Sequence, residues 1–403
     1  METSKKTAVL EITDDSAKFA IGYAVGGQPV VIYKTERSLK GLVKDGYISD
    51  QKAVVDIIKE FAHIEDEAAS LKINAHNLSI IIPPLGFQIY QNAKSTTLTS
   101  SSGLIDYIDI TNLNSMLMND KIPGDNLIVD IIPDFFTLDD GKNYSNPPLG
   151  EKSHSIAIRA KIHTLPEPLV HAFRATVEAA GFRIKDASVA PYCASQLIGS
   201  DKSMPENYFL LDMGARLTTI SIVGASSPYS SLFFPRGGDD LTDAIATGMG
   251  LSFAEAEKIK RDYGFDERTT SYEAPVAVSA DSQGRKTKYF QSSLNTVIED
   301  FFEDWNAHFA NAIAKLSARQ PTSQVIASMP VVAIGGGSEL KGLAKLVAPT
   351  LGARRFIAYV PTALGARDPR FANVLGLILA ESHYRGTLEE NYHGVSSLSR
   401  ERQ

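Results

Sequence analysis

The chain has one cysteine, Cys193, and one tryptophan, Trp305, among 403 residues. A single thiol excludes an internal disulfide framework and a cysteine-rich zinc site, and it suits a reducing compartment. No apolar run approaches the ~20 residues needed to span a bilayer, which excludes an integral helical membrane protein. Excess charge of one sign is also scarce: 40 Lys and Arg stand against 47 Asp and Glu, a net of −7. Binding to a phosphate backbone needs clustered positive charge, so no nucleic-acid partner is expected. The opening residues, Met1 to Lys6, carry no basic, apolar and small-residue signal, and the expectation is a cytoplasmic protein. Walker-type phosphate loops, zinc-protease helices and serine-hydrolase elbows are all missing. The eight histidines are dispersed without paired ligand spacing.

What remains is an ordinary globular composition, 43% hydrophobic and 22% charged. At about 100–200 residues per domain, the length suggests two or more units. Apolar, β-branched patterns predict strands over Thr7–Ile12, Phe19–Val25 and Pro29–Lys34, with Gly26-Gly27 as a turn. Asp50 is placed to cap a helix whose apolar stripe is Val54, Ile57, Ile58, Phe61 and Ile64. Asn77–Ile82 reads as a buried strand. From Leu85 to Leu165 the chain turns polar. It carries one helix candidate near Gly103–Met118 and strands at Leu127–Ile132, Phe135–Leu138 and Ser155–His163. An 80-residue structureless loop is improbable on length grounds, so an inserted α+β module is expected. Pro166–Gly181 reads as a helix and Arg183–Ala190 as a strand.

Asn207–Met213 and Leu217–Val223 then repeat the opening pattern: apolar strand, acidic end, turn, second strand. The expectation is an internal duplication, two similar lobes that each begin with a hairpin. Helices are predicted at Asp240–Gly250, Ser252–Tyr263, Ser293–Ala318, Leu340–Leu351 and Phe371–Glu381, with a strand at Val331–Ile334. In the long helix, Leu294, Ile298, Phe301, Trp305, Phe309, Ile313 and Leu316 keep a spacing of three to four, so one face is buried.

Three turns follow apolar strands: Glu11 to Lys18, Asp212 to Thr218, and Gly335 to Leu340. Two facing hairpin turns can wrap a polyphosphate with backbone N–H groups. A neighbouring carboxylate can hold hydrated Mg²⁺. A glycine triplet opening a helix lets a base or phosphate approach the backbone. Each turn alone is commonplace; their order across two lobes is more specific.

In these motifs the chain resembles the actin-like ATPase superfamily and, within it, the FtsA family of bacterial cell-division proteins. Leu210-Leu-Asp-Met-Gly-Ala215 is similar to the second phosphate turn. Pro235–Ala246 is similar to the glycine–acid–helix segment, Ala256–Gly264 to the nucleotide-side helix, and Ile334–Ser338 with Leu340 and Gly342 to the adenosine motif. Val129–Phe136 and Asn146–Gly150 resemble the inserted FtsA-type subdomain. Gly250–Glu257 is also similar to the pilus-assembly relative PilM.

The resemblance implies an α/β, two-lobed actin-like (ribonuclease-H-like, duplicated) fold. The first lobe would comprise 1–84 and 166–204, with 85–165 inserted. The second would comprise 205–236 and 328–385, with 237–327 as its small subdomain and 386–403 as a flexible polar tail. It implies ATP with Mg²⁺ as ligand. Thr13, Asp14, Asp15 and Ser16 would face the phosphates, with Lys18 behind. Asp212 would hold Mg²⁺ through water. Gly214, Ala215, Arg216 and Thr218 would form the second turn, with Gly238 nearby. Glu257, Lys260 and Arg261 would flank ribose and adenine. Gly335, Gly336, Gly337, Ser338 and Leu340 would lie on the other side of the adenosine.

The departures weaken that site. Glu11 stands where the family has Asp, and the first turn has lost its glycine and gained Asp14 and Asp15. Carboxylates a few Å from a triphosphate each cost on the order of 1 kcal/mol or more. Arg216 either offsets that charge or is solvated; the sequence leaves both open. Thr219 replaces an acid and cannot act as a base at neutral pH. At most a weak ATPase, with no catalytic residue, is expected. By resemblance the chain is a division scaffold that polymerises with itself and links the FtsZ ring to other division proteins or to the inner face of the membrane at the septum. The FtsZ C-terminal tail would dock along 262–291 and the start of the long helix, where Arg285, Lys286 and Lys288 either meet an acidic peptide or are simply solvated; the sequence leaves both open. Tyr384–Gln403 lacks the apolar and basic faces of a membrane-docking helix. The alternatives are a PilM-like adaptor and a superfamily enzyme such as a sugar kinase.

Overall fold

The first strand pattern, Thr7–Ile12, becomes the middle of a five-stranded sheet. Its order is Arg183–Val189, Asn77–Ile82, Thr7–Ile12, Ser16–Val25, Gln28–Ser38. The first two pairings are parallel and the last two antiparallel. Gly26 and Gly27, at φ +58° and +75°, make the hairpin turn between the last two strands. A second five-stranded sheet runs Phe356–Ala358, Val331–Ile334, Asn207–Met213, Thr218–Gly224, Ser227–Phe234. Its pairings follow the same sequence of parallel, parallel, antiparallel, antiparallel. The two halves therefore share one topology, as the duplicated pattern predicts. The structure is a computed structural model that describes residues 6–66, 71–74, 76–268, 274–280, 283–318 and 323–383.

Alternation along the strands sets the layers, because successive side chains face opposite sides. In the second sheet Tyr208, Leu210, Val332 and Ile334 join the core of the first lobe. Phe209, Leu211, Val331 and Ala333 turn to the outer core instead. That outer core is filled by Leu241 and Ile245 of helix Gly238–Met249, by Ile298, Trp305 and Phe309 of helix Gln291–Ala318, and by Val347 of helix Leu343–Leu351. Helices Ala190–Ser200 and Ala372–His383 pack together, the second of them also against strands Thr7–Ile12 and Ser16–Val25. The chain thus leaves the second lobe and returns to the first before residue 384. Gly376 permits the close helix crossing: a Cβ there would stand 1.7 Å from Cys193 O.

The inserted stretch forms its own four-stranded antiparallel sheet, ordered Asn143–Tyr144, Asn126–Leu138, Ser155–Pro166, Gln88–Thr97. Helix Tyr107–Met118, closed by a capping box at Asp106, covers it. Ile110, Leu113 and Leu117 meet Phe136, Ile156 and Ile158 in a separate small core.

Several elements differ from the sequence reading. The helix capped by Asp50 ends at Ile58, continues as a 3-10 turn to Ala62, and places Ile64 in a strand. Pairing of His63–Asp66 with Leu71–Asn74 takes up the backbone that a longer helix would have used. The two strands expected around Pro133 are one strand, Asn126–Leu138, with register shifts at 128/130 and 133/135. The bulges absorb the missing proline donor. The helix after Gly335 starts at Leu343, because Gly342 at φ +80° breaks the path from the short 3-10 turn Gly336–Glu339. Strands Gln88–Thr97 and Ser227–Phe234 and helix Ala190–Ser200 are additional to the elements that the sequence predicts. The expected tail, 386–403, lies outside the described residues. Among the described residues no helix is long and apolar enough to cross a membrane.

Candidate functional site

Equivalent strands of the two lobes end in acids: Glu11 in Thr7–Ile12 and Asp212 in Asn207–Met213. A cleft of about 520 Å³ opens where these ends meet. Thr13, Asp14, Asp15, Ser16 and Lys18 line it from the first lobe; Asp212, Gly214, Ala215 and Gly238 line it from the second. Glu257, Lys260 and Arg261 form another wall, and Gly335, Gly336, Gly337 and Leu340 the wall opposite. Three expected members, Arg216, Thr218 and Ser338, are not in the lining. The structure adds Asp239 and Glu339, which lie within the segments Pro235–Ala246 and Gly335–Leu340, and Glu36, Lys40, Arg370 and Asn373, which the sequence does not single out.

At the base of the cleft, Lys18 Nζ lies 3.0 Å from Glu11 Oε2, with both residues buried. Burial alone would lower the lysine pKa, but the charge and hydrogen bond of Glu11 raise it. Asn373 Nδ2 donates to Glu11 Oε1 at 2.8 Å and to Asp212 Oδ2 at 3.1 Å. Burial, followed by the charge of Glu11, pushes Asp212 up to about 6. Asn373 sits in an otherwise apolar run, Phe371 to Leu377, and that lone polar residue was the available signal.

The first turn is closed by itself. Thr13 Oγ1 donates to Ser16 O at 3.0 Å, and Thr13 N to the same oxygen at 2.9 Å. Ser16 Oγ donates to Glu36 Oε1 at 2.7 Å, so that hydroxyl is engaged within the protein. Asp14 Oδ1 accepts from Gly46 N at 2.9 Å, which turns the carboxylate toward the hairpin Val43–Ile48. Burial raises the Asp14 pKa against the lowering effect of that N–H.

The second turn is tied to the helix that follows it. Gly214 N donates to Leu217 O, Gly238 N to Gly214 O at 3.0 Å, and Asp239 N to Ala215 O at 2.7 Å. A Cβ on Gly237 would lie 2.4 Å from Ala215 O, so only glycine fits this approach. Thr218 Oγ1 is spent on Arg236 O at 2.5 Å, inside the protein. Arg216 points to the first turns of helix Gly238–Met249, at 3.6 Å from Asp239, 3.2 Å from Asp240 and 3.2 Å from Asp243. It is therefore neither free in solvent nor a wall of the cleft. Lys40 of the first lobe crosses to the second, 3.7 Å from Asp239 and stacked 3.2 Å over the Phe253 ring.

On the opposite side, Glu257 accepts from Thr242 Oγ1 at 2.6 Å, Lys260 Nζ at 2.6 Å and Arg261 Nε at 2.5 Å. Burial would raise its pKa, but these donors outweigh it and hold the carboxyl down at about 2. Lys260 also donates to Gly238 O at 2.8 Å, joining this helix to the second turn. In the glycine triplet, a Cβ on Gly335 would meet Asp212 Oδ1 at 2.5 Å, and one on Gly337 would meet Met213 Cβ at 2.6 Å. Gly336 faces only the stem of Arg370 at 3.5 Å. Arg370 is itself held by Asp368 at 2.7 Å and Glu36 at 3.1 Å. Ser338 Oγ donates to Gly335 O at 2.7 Å and shapes the turn from within.

The lining holds eight carboxylates and five cationic side chains, so an anionic ligand meets a negative wall and needs countercharge. Among the described residues no three His, Cys, Asp or Glu side chains are grouped to hold a metal unaided. Mg²⁺ commonly takes one or two carboxylates, retained water and ligand phosphates, and the pair Asp212 and Glu11 with the Asn373 amide fits that donor set.

A family profile described as Cell division protein FtsA matches residues 209–376. FtsA of Streptococcus pneumoniae (strain D39) is 24% identical over 383 residues, covering 94% of this chain and 80% of that protein. FtsA of Enterococcus faecalis is 25% identical over 389 residues, covering 95% of this chain and 84% of that protein. Among solved structures, a PilM–PilN type IV pilus biogenesis complex superposes with a TM-score of 0.60 at 17% identity, over 94% of this chain and 98% of the other. MreB5 of Spiroplasma citri bound to ADP gives 0.57 at 12% identity, over 96% and 98%. Two lobes of one topology meet at a shared cleft, and the chain is similar to FtsA proteins along nearly its whole length and shares the fold of these solved actin-like structures.

Proposed function

We propose that this chain is an actin-like scaffold of bacterial cell division whose interlobe cleft takes a nucleoside triphosphate with Mg²⁺. The observation that carries the reading is the meeting of Glu11 and Asp212, the strand-end acids of two like-folded lobes, on one Asn373 amide inside the cleft. When bound, Mg²⁺ supplies the positive charge that the negative wall lacks. The chain's own part is to bind and orient. The turns Thr13–Ser16 and Gly214–Leu217 face the phosphates, Lys260 and Arg261 the ribose side, and Gly336 offers a bare backbone surface to the base. Lys18, already bonded to Glu11, balances charge at the base of the cleft. Thr219 lines the cleft but cannot take a proton at neutral pH, so hydrolysis is slow at best.

The division role is supported by the likeness to FtsA along nearly the full chain. Self-association through the lobes and docking of an FtsZ tail on the small subdomain go with it. There Lys286 and Lys288 lie exposed on the hairpin formed with Ala277–Ala280, beside exposed Val278 and Phe290, a surface fit for an acidic peptide with apolar side chains. Calorimetric titration of Mg-ATP, sedimentation with and without nucleotide, and pull-down with an FtsZ tail peptide test the reading together. Heat of binding, nucleotide-dependent pelleting and peptide capture are expected. Silence in calorimetry up to millimolar nucleotide overturns the ligand, and capture of a pilus-protein peptide instead overturns the partner.

A further inference from the structure

Asn373 carries more than a bridge between two acids. It is 6% exposed, begins the returning helix and lines the cleft. Its Nδ2 is committed to Glu11 and Asp212, while its Oδ1, equally buried, has no hydrogen-bond partner. Reversing the amide would set its carbonyl oxygen against both carboxylates, so the neighbours fix which way it points. An unsatisfied buried acceptor costs about 1–3 kcal/mol and is rare without a reason. Here the amide that carries the unsatisfied oxygen bridges two carboxylates, on a helix start facing two strand ends. Oxygen donors, two of them anionic, on rigid elements are the environment of a hard divalent cation.

We propose that Asn373 Oδ1 and the Asp212 carboxylate together hold the hydration shell of a divalent cation, with Glu11 supplying the negative charge behind them and orienting the amide. The proposal rests on reading the cleft as a Mg-nucleotide site, and it makes Asn373 a positioning residue for the cation rather than for the nucleotide. Two consequences separate it from a structural role. Removing the oxygen weakens the cation more than the nucleotide. Replacing the amide with a carboxylate strengthens cation binding, because a neutral oxygen becomes an anionic one, although the extra charge lowers stability without metal.

The test uses the full chain and Mn²⁺ as probe, followed by electron paramagnetic resonance, first without nucleotide and then with ATP. Mg²⁺ serves as competitor, and Mg²⁺-dependent thermal stabilisation is the second readout. The expected result is one Mn²⁺ per chain displaced by Mg²⁺, about tenfold or more weaker in Asn373→Ala and tighter in Asn373→Asp. The aspartate variant should also be less stable in chelator and gain more melting temperature from Mg²⁺ than wild type. Should the alanine variant be too unstable to purify, the rise in Asn373→Asp decides alone. Equal Mn²⁺ affinity in wild type and either variant, or no Mn²⁺ bound with or without ATP, overturns the proposal. If Mn²⁺ binds as expected while ATP gives no calorimetric heat, the nucleotide reading fails and the cation site stands. If Mg-ATP binds and Asn373 changes nothing, the reverse holds.

Discussion

Lys18 Nζ and Glu11 Oε2 form a 3.0 Å ion pair at the floor of the cleft, where both residues are buried. Breaking a buried pair by removing one partner leaves the other charge without compensation, at a cost of about 3–5 kcal/mol. Lys18→Met should therefore lower unfolding stability by about that amount, since among the described residues the Asn373 amide is then the one side-chain donor left to Glu11. Glu11→Gln combined with Lys18→Met removes both charges and should recover most of the loss. Urea denaturation of the two variants checks this. A double variant no more stable than the single one would show that the pair does not act as a unit.

Asp14 anchors the hairpin Val43–Ile48 to the first turn through the 2.9 Å bond from Gly46 N. The amide oxygen of Asp14→Asn can still accept that hydrogen, so its fold should stay within about 1 kcal/mol of wild type. Asp14→Ala leaves Gly46 N–H unpaired and should cost about 1–3 kcal/mol. The local readout is hydrogen exchange at Gly46, fast in the alanine variant and slow in the asparagine variant. Equal exchange in both would mean that the carboxylate does not hold the hairpin.

Much of this architecture was legible because it is local. Alternation in Asn207–Met213, glycines at the turns and the acids at strand ends follow from a period of two and from turn chemistry. Helix Ala190–Ser200 escaped because it is buried nearly all round and carries Pro191 near its start, so no apolar stripe marks it. Strand Gln88–Thr97 is an edge strand with alternating exposure, poor in apolar residues, and reads like loop. Asn373, Arg370, Glu36 and Lys40 acquire their places only when two lobes close. Asn373 meets Glu11 across 362 positions of sequence, a separation no local pattern reports. Arg216 was readable as a charge near the phosphates, but the acids at 239, 240 and 243 that claim it become one face only on the helix surface.

The glycines of the site and of the helix crossing are unequal, and substitution should separate them. Gly336→Ala meets only the flexible Arg370 stem at 3.5 Å and should change stability by less than about 1 kcal/mol. Gly335→Ala sits at φ +81° with its Cβ 2.5 Å from Asp212 Oδ1, combining backbone strain with a clash. A cost of about 2–4 kcal/mol and a loss of nucleotide binding are expected there. Gly376→Ala would gain helix propensity of about 1 kcal/mol in an open helix. With Cys193 O 1.7 Å from the new Cβ, it must instead push the two helices apart, and a net loss of about 3 kcal/mol is expected. Thermal melts rank the three. A stable Gly376→Ala protein would contradict the close packing of Ala190–Ser200 on Ala372–His383.

Acid should unlock the wall formed by Glu257. Its carboxyl is raised by burial but held down to about 2 by Lys260, Thr242 and Arg261, below the ordinary 4.5. A folded-state pKa below the unfolded one gives stability that is complete above about pH 4.5 and is lost as pH falls toward 2. The gap corresponds to roughly 2–3 kcal/mol at neutral pH, allowing for the partial exposure of the side chain. Glu257→Gln should therefore be less stable than wild type by that amount at pH 7, and the two urea midpoints should draw together as pH falls from about 4.5 toward 2, the unfolded carboxylate taking up its proton first and the folded one last. Lys260 loses its anionic partner in the variant but keeps Gly238 O and Thr242 Oγ1, each at 2.8 Å, so the second turn stays tied to this helix. A difference that persists unchanged to pH 3 would assign the loss to packing of the side chain rather than to its charge.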